Sequence, residues 1–170
     1  MRCLAFLLFA FISFEAASKP SYFFPEDLKP AASEYARAAG LAPLTSTTDF
    51  ELRVWTRSYM SGSVTGFIVS NGTRRSFESV STYAQGRLLV NTANLGAEKP
   101  VFDLVRLKEF VEVLKAYNGK AVSCGVMDGE SNLVDAVVQG QVVTVRVDNP
   151  SFCSDKASKT MALLLDALRH

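Results

Sequence analysis

The chain has 170 residues, of which 48% are hydrophobic and 21% are charged, and its formal net charge is +1. The length fits one globular domain, and the apolar content is high enough for a core and excludes intrinsic disorder. The near-neutral charge excludes a dedicated nucleic-acid binder, which would carry a basic surface. We therefore expect no nucleic acid among the partners of this protein.

Residues 1–18 have the pattern of a cleavable signal peptide. A positive charge at Arg2 precedes an apolar run over 3–14, and small residues follow it. Cleavage after Ser18 would place Ala16 and Ser18 at the two positions before the cut that prefer small side chains. The alternative, a membrane anchor, requires about 20 apolar residues, whereas this run has 12. We therefore predict an exported protein, periplasmic or extracellular, with no stable membrane span after cleavage.

The next segment, 19–48, is predicted to be an extended lead-in followed by a short helix. Prolines punctuate its first part, and Pro30 can occupy the first turn of a helix because its missing N–H is not needed there. Alanines and Tyr35 follow at helical spacing. Gly40 is then a natural C-terminal stop for this helix.

Four strands joined by short turns are predicted next. Apolar and polar residues alternate over 50–57, which is typical of a half-buried strand. Further strands are predicted at 64–70, 74–83 and 87–92. The dipeptide Asn71-Gly72 is a strong hairpin signal between the second and the third of these strands. The four strands should therefore form an antiparallel meander.

The pattern then changes to that of an amphipathic helix over 103–117. Further elements are predicted after it: strands at 121–127, 133–139 and 142–148, and a last helix at 154–168. The resulting order, α-ββββ-α-βββ-α, predicts an α+β fold in which helices cover one face of a mainly antiparallel sheet. We expect residues 49–170, together with the lead-in, to form a single domain.

Cleavage of the signal peptide would leave two cysteines, Cys124 and Cys153. In an oxidising compartment such an even pair usually forms a disulfide bond. The alternatives are two free thiols or a redox-active pair, although a redox-active pair usually has the spacing C-x-x-C. We therefore predict a structural disulfide that holds the last helix onto the sheet.

The candidates for catalysis are few, because the one histidine, His170, is the last residue. Ser-His-Asp and Cys-His catalysis require a histidine in a packed site, and zinc enzymes usually use several. The acidic turn with Asp128, Glu130 and Asn132 lacks the glycine and the glutamate of an EF-hand loop. We therefore predict no metal and no cofactor, and no catalytic residue is assigned.

Trp55 is the leading candidate for a binding residue. It falls on the polar side of the 50–57 strand together with Arg53 and Arg57, and exposed aromatic residues beside arginine are enriched at protein interfaces. The alternative is that a helix covers this face and that Trp55 belongs to the core. The hairpin tip also carries a glycosylation sequon at Asn71, whose use depends on the source of the protein.

The stretch 127–150 contains the sequence DGES, a strand, a glycine turn, a second strand and Asn149-Pro150. Together with the earlier strand ELRVW, this arrangement resembles small exported bacterial proteins of unknown function. The resemblance implies an exported α+β domain. It brings no catalytic residues with it.

These observations favour a non-catalytic binding module of the cell envelope, such as an inhibitor or an immunity-type protein, whose partner is another protein. One alternative is a subunit of a larger envelope assembly, which a large exposed apolar patch would support. The other is a small exported hydrolase that uses carboxylates. Its candidate acids are Asp49, Glu51 and Glu78.

Overall fold

The computed structural model describes residues 28–58, 63–84, 87–125 and 129–170, without the side chains of 81–84 and 87–91. The predicted signal peptide lies outside the described residues. The lead-in before residue 28 and the turns predicted around 61–62, 85–86 and Asp128 also fall outside them, wholly or in part.

The strands of the described residues are β1 (Phe50–Ser58), β2 (Ser63–Ser70), β3 (Thr73–Ala84), β4 (Arg87–Leu95), β5 (Lys99–Pro100), β6 (Ala121–Val122), β7 (Glu130–Val138) and β8 (Gln141–Asp148). They form one sheet of eight strands, in the order β4-β3-β2-β1-β7-β8-β6, with β5 paired to β3. The pairs are antiparallel except for β6 and β8, which run parallel. The predicted α+β order is confirmed, with the short β5 as an addition.

Two tight turns set the register of the hairpins. Asn71 and Gly72 have φ values of 50° and 74°, and Gln139 and Gly140 have φ values of 50° and 70°. Positive φ at both central residues is the signature of the hairpin turn whose twist matches that of the flanking strands. The Asn71-Gly72 prediction is therefore confirmed. The second turn is centred one residue earlier than the sequence pattern indicated.

The helices pack on both faces of the sheet, whereas the sequence predicted cover on one face only. On one face lie α2 (Leu104–Leu114), which continues into a short 3₁₀ turn (Lys115–Tyr117), and α3 (Lys156–Arg169). They bury the apolar positions of β1, β7 and β8. The opposite face is covered by α1 (Leu28–Ala38), whose Tyr35 packs with Trp55. The prediction was wrong because the arginines of β1 made this second face look solvated.

The predicted disulfide is present and joins Cys124 to Cys153, with 5.8 Å between their Cα atoms. It connects the segment after β6 to the turn that precedes α3. Asp155 caps α3, since its side chain accepts a hydrogen bond from the backbone N–H of Ser158 at 2.9 Å. The sixth strand is shorter than the predicted 121–127, and β7 already begins at Glu130, where a turn was expected.

None of the helices in the described part of the chain combines the length and the apolar character that crossing a membrane requires.

Candidate functional site

A row of polar side chains crosses the α1 face of the sheet. Arg53 on β1 is paired with Asp135 on β7, and Asp135 is paired with Thr144 on β8. Side chains at directly opposite positions of neighbouring strands point to the same face. We call these three residues the polar row. They are all buried, and they lie among side chains that are mostly apolar.

Arg53 is held by two hydrogen bonds, and only 2% of its surface is exposed. Its Nε donates to Oε1 of Glu51 at 2.7 Å, and its Nη2 donates to the backbone carbonyl oxygen of Ala42 at 2.7 Å. The remaining terminal nitrogen, Nη1, is buried and has no hydrogen-bond partner among the described residues. The Nη1 nitrogen of the guanidinium therefore donates no hydrogen bond to the described residues.

Asp135 is 9% exposed, and the Oγ1 of Thr144 donates to its Oδ1 at 3.0 Å. Burial raises the pKa of Asp135 above its ordinary value, because a carboxylate loses its hydration when it is buried. The Thr144 hydrogen bond and the charge of Arg53 oppose this rise in pKa, and the charge of Glu51 adds to it. A buried carboxyl group with a raised pKa in a concave site is a common mark of a functional site.

The polar row borders a cavity of about 560 Å³ between α1, the loop that follows it, and the sheet. We call this cavity the α1 pocket. Its size lies within the range of about 300–1,000 Å³ that is typical of small-ligand sites. The lining is apolar apart from the polar row, Ser33 and two cations of α1, Lys29 and Arg37. The apolar lining residues are Ala32, Ala36, Leu41, Pro43, Leu44 and Val142.

Trp55 is not part of an exposed patch, because its exposed fraction is 0%. Its ring lies 5.7 Å from the ring of Tyr35 and 4.8 Å from the ring of Phe77, measured between centroids. Arg57 is also buried. The exposure that the interface hypothesis assumed is therefore absent, and Trp55 belongs to the core beneath α1. Of the three predicted binding residues, the structure places Arg53 at the α1 pocket.

The sequence patterns did not single out Asp135 or Thr144. The available signal was weak, since Asp135 is one charged residue inside the otherwise apolar run Leu133–Val138. A charge in such a run requires a buried partner or a ligand. Its partner could not be identified without the strand pairing, because Arg53 is distant in sequence.

The acids proposed for a carboxylate hydrolase lie in different surroundings, and Asp49 is exposed. Glu51 binds Arg53, and Glu78 lines a shallow groove of about 320 Å³ that also contains Glu130. Glu78 lies on β3 and Glu130 on β7, with β2 and β1 between them, so their backbones are three inter-strand steps apart, about 14 Å. Strand pairing therefore does not place Glu78 beside Glu130, whereas Glu51 is near enough to Asp135 for its charge to raise the pKa of that carboxyl group.

No group of three or more His, Cys, Asp or Glu side chains among the described residues is arranged to hold a metal ion. Comparison with known proteins gives no family for this chain: no protein-family model matches it, and no curated protein is significantly similar to it in sequence.

Proposed function

We propose that this protein is an exported, non-catalytic binding module of the cell envelope, and that the α1 pocket is its ligand site. The observation that carries the proposal is the polar row, where Arg53 keeps an unpartnered donor and Asp135 is buried beside an open cavity. Burying charged groups costs free energy, and apolar residues of similar volume usually serve a core as well or better. A binding role for the polar row explains why these charges lie there.

The placement of the chain outside the cytoplasm rests on the sequence of residues 1–18. We expect the mature protein to begin at Lys19 and to be recovered from the periplasmic or extracellular fraction. Intact-mass measurement of that fraction tests the export hypothesis. Full-length mass in the membrane fraction would contradict it.

One observation favours the alternative role as a subunit of an envelope assembly with a protein partner. Phe102 is 89% exposed and Val105 is 69% exposed at the start of α2. Large apolar side chains exposed close together often mark a contact surface. A change of Phe102 and Val105 to serine that abolished co-purification with a partner, but left the α1 pocket functional, would support this role.

The binding function can be tested through Trp55, which is the one tryptophan of the chain. Because Trp55 packs against Tyr35 of α1, we expect an occupied α1 pocket to alter its fluorescence emission and to raise the melting temperature. The purified mature protein would be screened against amino acids, nucleosides, sugars and short carboxylic acids. A complete lack of response to all four classes would overturn the assignment of this pocket.

Two variants of α1 provide a matched comparison. Ser33 lines the α1 pocket and is exposed, so Ser33→Phe should obstruct the cavity and remove the response to an active compound. Ala38 lies on the same helix but not among the lining residues, so Ala38→Phe should leave the response intact. Equal responses of both variants would place the ligand elsewhere.

A further inference from the structure

We infer that the α1 pocket takes a free α-amino acid with a large apolar side chain, its ammonium group on Asp135 and its carboxylate on Arg53. This inference rests on the proposed binding function and assigns the chemical class of the ligand. Three features of the pocket carry it: its charge balance, the spacing of its unused polar groups, and its apolar walls.

The charge balance of the pocket favours a ligand without net charge. Of the four charged residues that line it, two are neutralised by a close acid. Arg37 pairs with Glu34 at 2.6 Å, and Arg53 pairs with Glu51 at 2.7 Å. One cation, Lys29, and one anion, Asp135, are then left without such a pair. With the two ion pairs counted, the lining carries no net charge, and a zwitterion complements it better than a ligand with a net charge does.

Within the polar row, the unused groups are one donor nitrogen of Arg53 and one acceptor oxygen of Asp135, on directly paired residues. Two nitrogens of Arg53 are engaged by Glu51 and Ala42, which leaves Nη1. One oxygen of Asp135 accepts from Thr144, and the described residues supply no second hydrogen bond to this carboxyl group. The β-carbons of directly paired residues are about 4.5–5.5 Å apart. An α-amino acid carries its ammonium and carboxylate on one carbon, which suits two charged residues at directly paired positions.

A ligand that carries only a carboxylate or only an amine would be matched to one residue of the Arg53–Asp135 pair and not to the other. A carboxylic acid without an amine would pair with Arg53 but would bring a second negative charge beside Asp135. An amine without a carboxylate would pair with Asp135 but would leave the Nη1 donor unpaired. A buried polar group without a partner weakens binding strongly, which is why such sites discriminate between close analogues.

The apolar part of the pocket wall determines which side chain the bound amino acid can carry. Three elements supply these apolar lining residues: Ala32 and Ala36 of α1, Leu41 and Leu44 of the following loop, and Val142 of β8. These residues offer no hydrogen bond from their side chains. The volume of about 560 Å³ leaves room for a branched or aromatic side chain beyond the polar row. We therefore expect leucine and phenylalanine to bind more tightly than serine or aspartate.

Isothermal titration calorimetry with L-phenylalanine and L-leucine tests the assignment on the purified mature protein. Two analogues dissect the charges: 3-phenylpropanoate lacks the amine, and 2-phenylethylamine lacks the carboxylate. We expect each analogue to bind at least about tenfold more weakly than L-phenylalanine, as the loss of a charged hydrogen bond predicts. Binding of 3-phenylpropanoate as tight as that of L-phenylalanine would overturn the inference.

The variant Asp135→Asn gives a signature that a loss of folding does not mimic. It should weaken L-phenylalanine binding at least about tenfold while it strengthens 3-phenylpropanoate binding, because the repulsion of the carboxylate is removed. Near-ultraviolet circular dichroism and Trp55 emission would verify that the variant is folded. A parallel loss of both ligands in a folded variant would contradict the assigned orientation.

The outcomes also separate this inference from the proposed function. If a sugar or a nucleoside gives a response that Ser33→Phe removes, and neither amino acid binds, the binding function stands and the amino-acid assignment is wrong. If no compound class produces a response, both are wrong.

Discussion

Arg53 and Asp135 occupy directly opposite positions on β1 and β7, yet no hydrogen bond or ion pair joins them. Each side chain is instead hydrogen-bonded to another residue, Arg53 to Glu51 at 2.7 Å and Asp135 to Thr144 at 3.0 Å. The two charged groups therefore stabilise each other only through space. Both side chains lie at the edge of the α1 pocket. The burial of Asp135 there determines how the stability of the protein should respond to pH.

The first prediction concerns the pH dependence of stability. Burial raises the pKa values of Asp135 and Asp148 above their ordinary value of 3.8. The folded state thus holds these protons more tightly than the unfolded state does. The resulting stabilisation is fully present below the unfolded pKa and is lost as the pH rises through the folded pKa. We expect the free energy of unfolding to fall less with rising pH in Asp135→Asn than in the native protein.

The comparison must isolate Asp135, because other acids act in the opposite direction. Hydrogen bonding to Arg37 lowers the pKa of Glu34, so its contribution is lost on acidification. The charged groups around Asp135 are Arg53 and Glu51 of β1 and the two cations of α1 at the pocket. Asp49→Asn, at an exposed position, is the matched control for the removal of one carboxylate. Identical profiles of Asp135→Asn and the native protein would contradict the prediction.

The second prediction concerns Trp55, which contacts Tyr35 and Phe77 and is fully buried. We expect Trp55→Ala to lower the free energy of unfolding by about 3–5 kcal/mol, as for other buried aromatic residues. Trp55→Phe should cost less, since its ring keeps part of the packing and the indole Nε1 has no hydrogen-bond partner among the described residues. Urea denaturation measures both.

Because Trp55 is fully buried, Trp55→Ala would not be a clean test of an interface contact. A loss of partner binding in that variant would report loss of the fold rather than loss of an interface contact. Trp55→Phe is the informative variant. A fully stable Trp55→Ala protein would show that this residue is not a core residue.

Sequence patterns predicted the elements of this fold well because each depends on local chemistry. The alternation in β1, the Asn71-Gly72 turn and the helical period of α2 are all signals within a few residues. The two-residue strand β5 was missed because Lys99 and Pro100 have no pattern of their own. It forms only because β3 offers a free edge beside it.

The candidate site was harder to predict, because it depends on pairing between distant strands. Arg53 could be selected from its strand, but its partner Asp135 is brought opposite it only by the crossover that places β7 beside β1. The sequence left open whether Trp55 is an interface residue or a core residue under a helix, because α1 could not be docked from sequence. Long-range contacts of this kind have no local signal, so neither the pocket nor its polar row could be derived from the pattern alone.

The third prediction concerns Gly66, which lies between Trp55 and Phe77 in the sheet. A β-carbon at this position would collide with the backbone carbonyl oxygen of Val54, and a backbone atom of a central strand cannot easily move aside. We expect Gly66→Ala to destabilise the protein by about 1–3 kcal/mol, the usual cost of overpacking. The melting temperature should fall accordingly.

Thr65→Ala is the matched control for Gly66→Ala, because Thr65 is the preceding residue of the same strand and is exposed. It should change the free energy of unfolding by only a few tenths of a kcal/mol. If the two variants were equally stable, the close approach of β1 and β2 at Gly66 would not limit the side chain there.

The fourth prediction concerns the disulfide between Cys124 and Cys153. The bridge spans a sequence separation of 29 residues, for which chain entropy gives a stabilisation of about 3–4 kcal/mol. We expect the double variant Cys124→Ala, Cys153→Ala to lose this amount while it keeps the same fold. Cys124 is exposed and Cys153 is buried, so any additional cost comes from the small cavity left at Cys153.

The effect of the bridge should also be local, because it connects the segment after β6 to the turn before α3. Hydrogen exchange should therefore become faster at Ala121–Val122 and in the first turn of α3, and less so in β1 and β7 at the centre of the sheet. Reductant should reproduce this change in the native protein and have no effect on the double variant. An untreated native protein with two reactive thiols, or equal exchange in both proteins, would show that the bridge does not fasten α3 to the sheet.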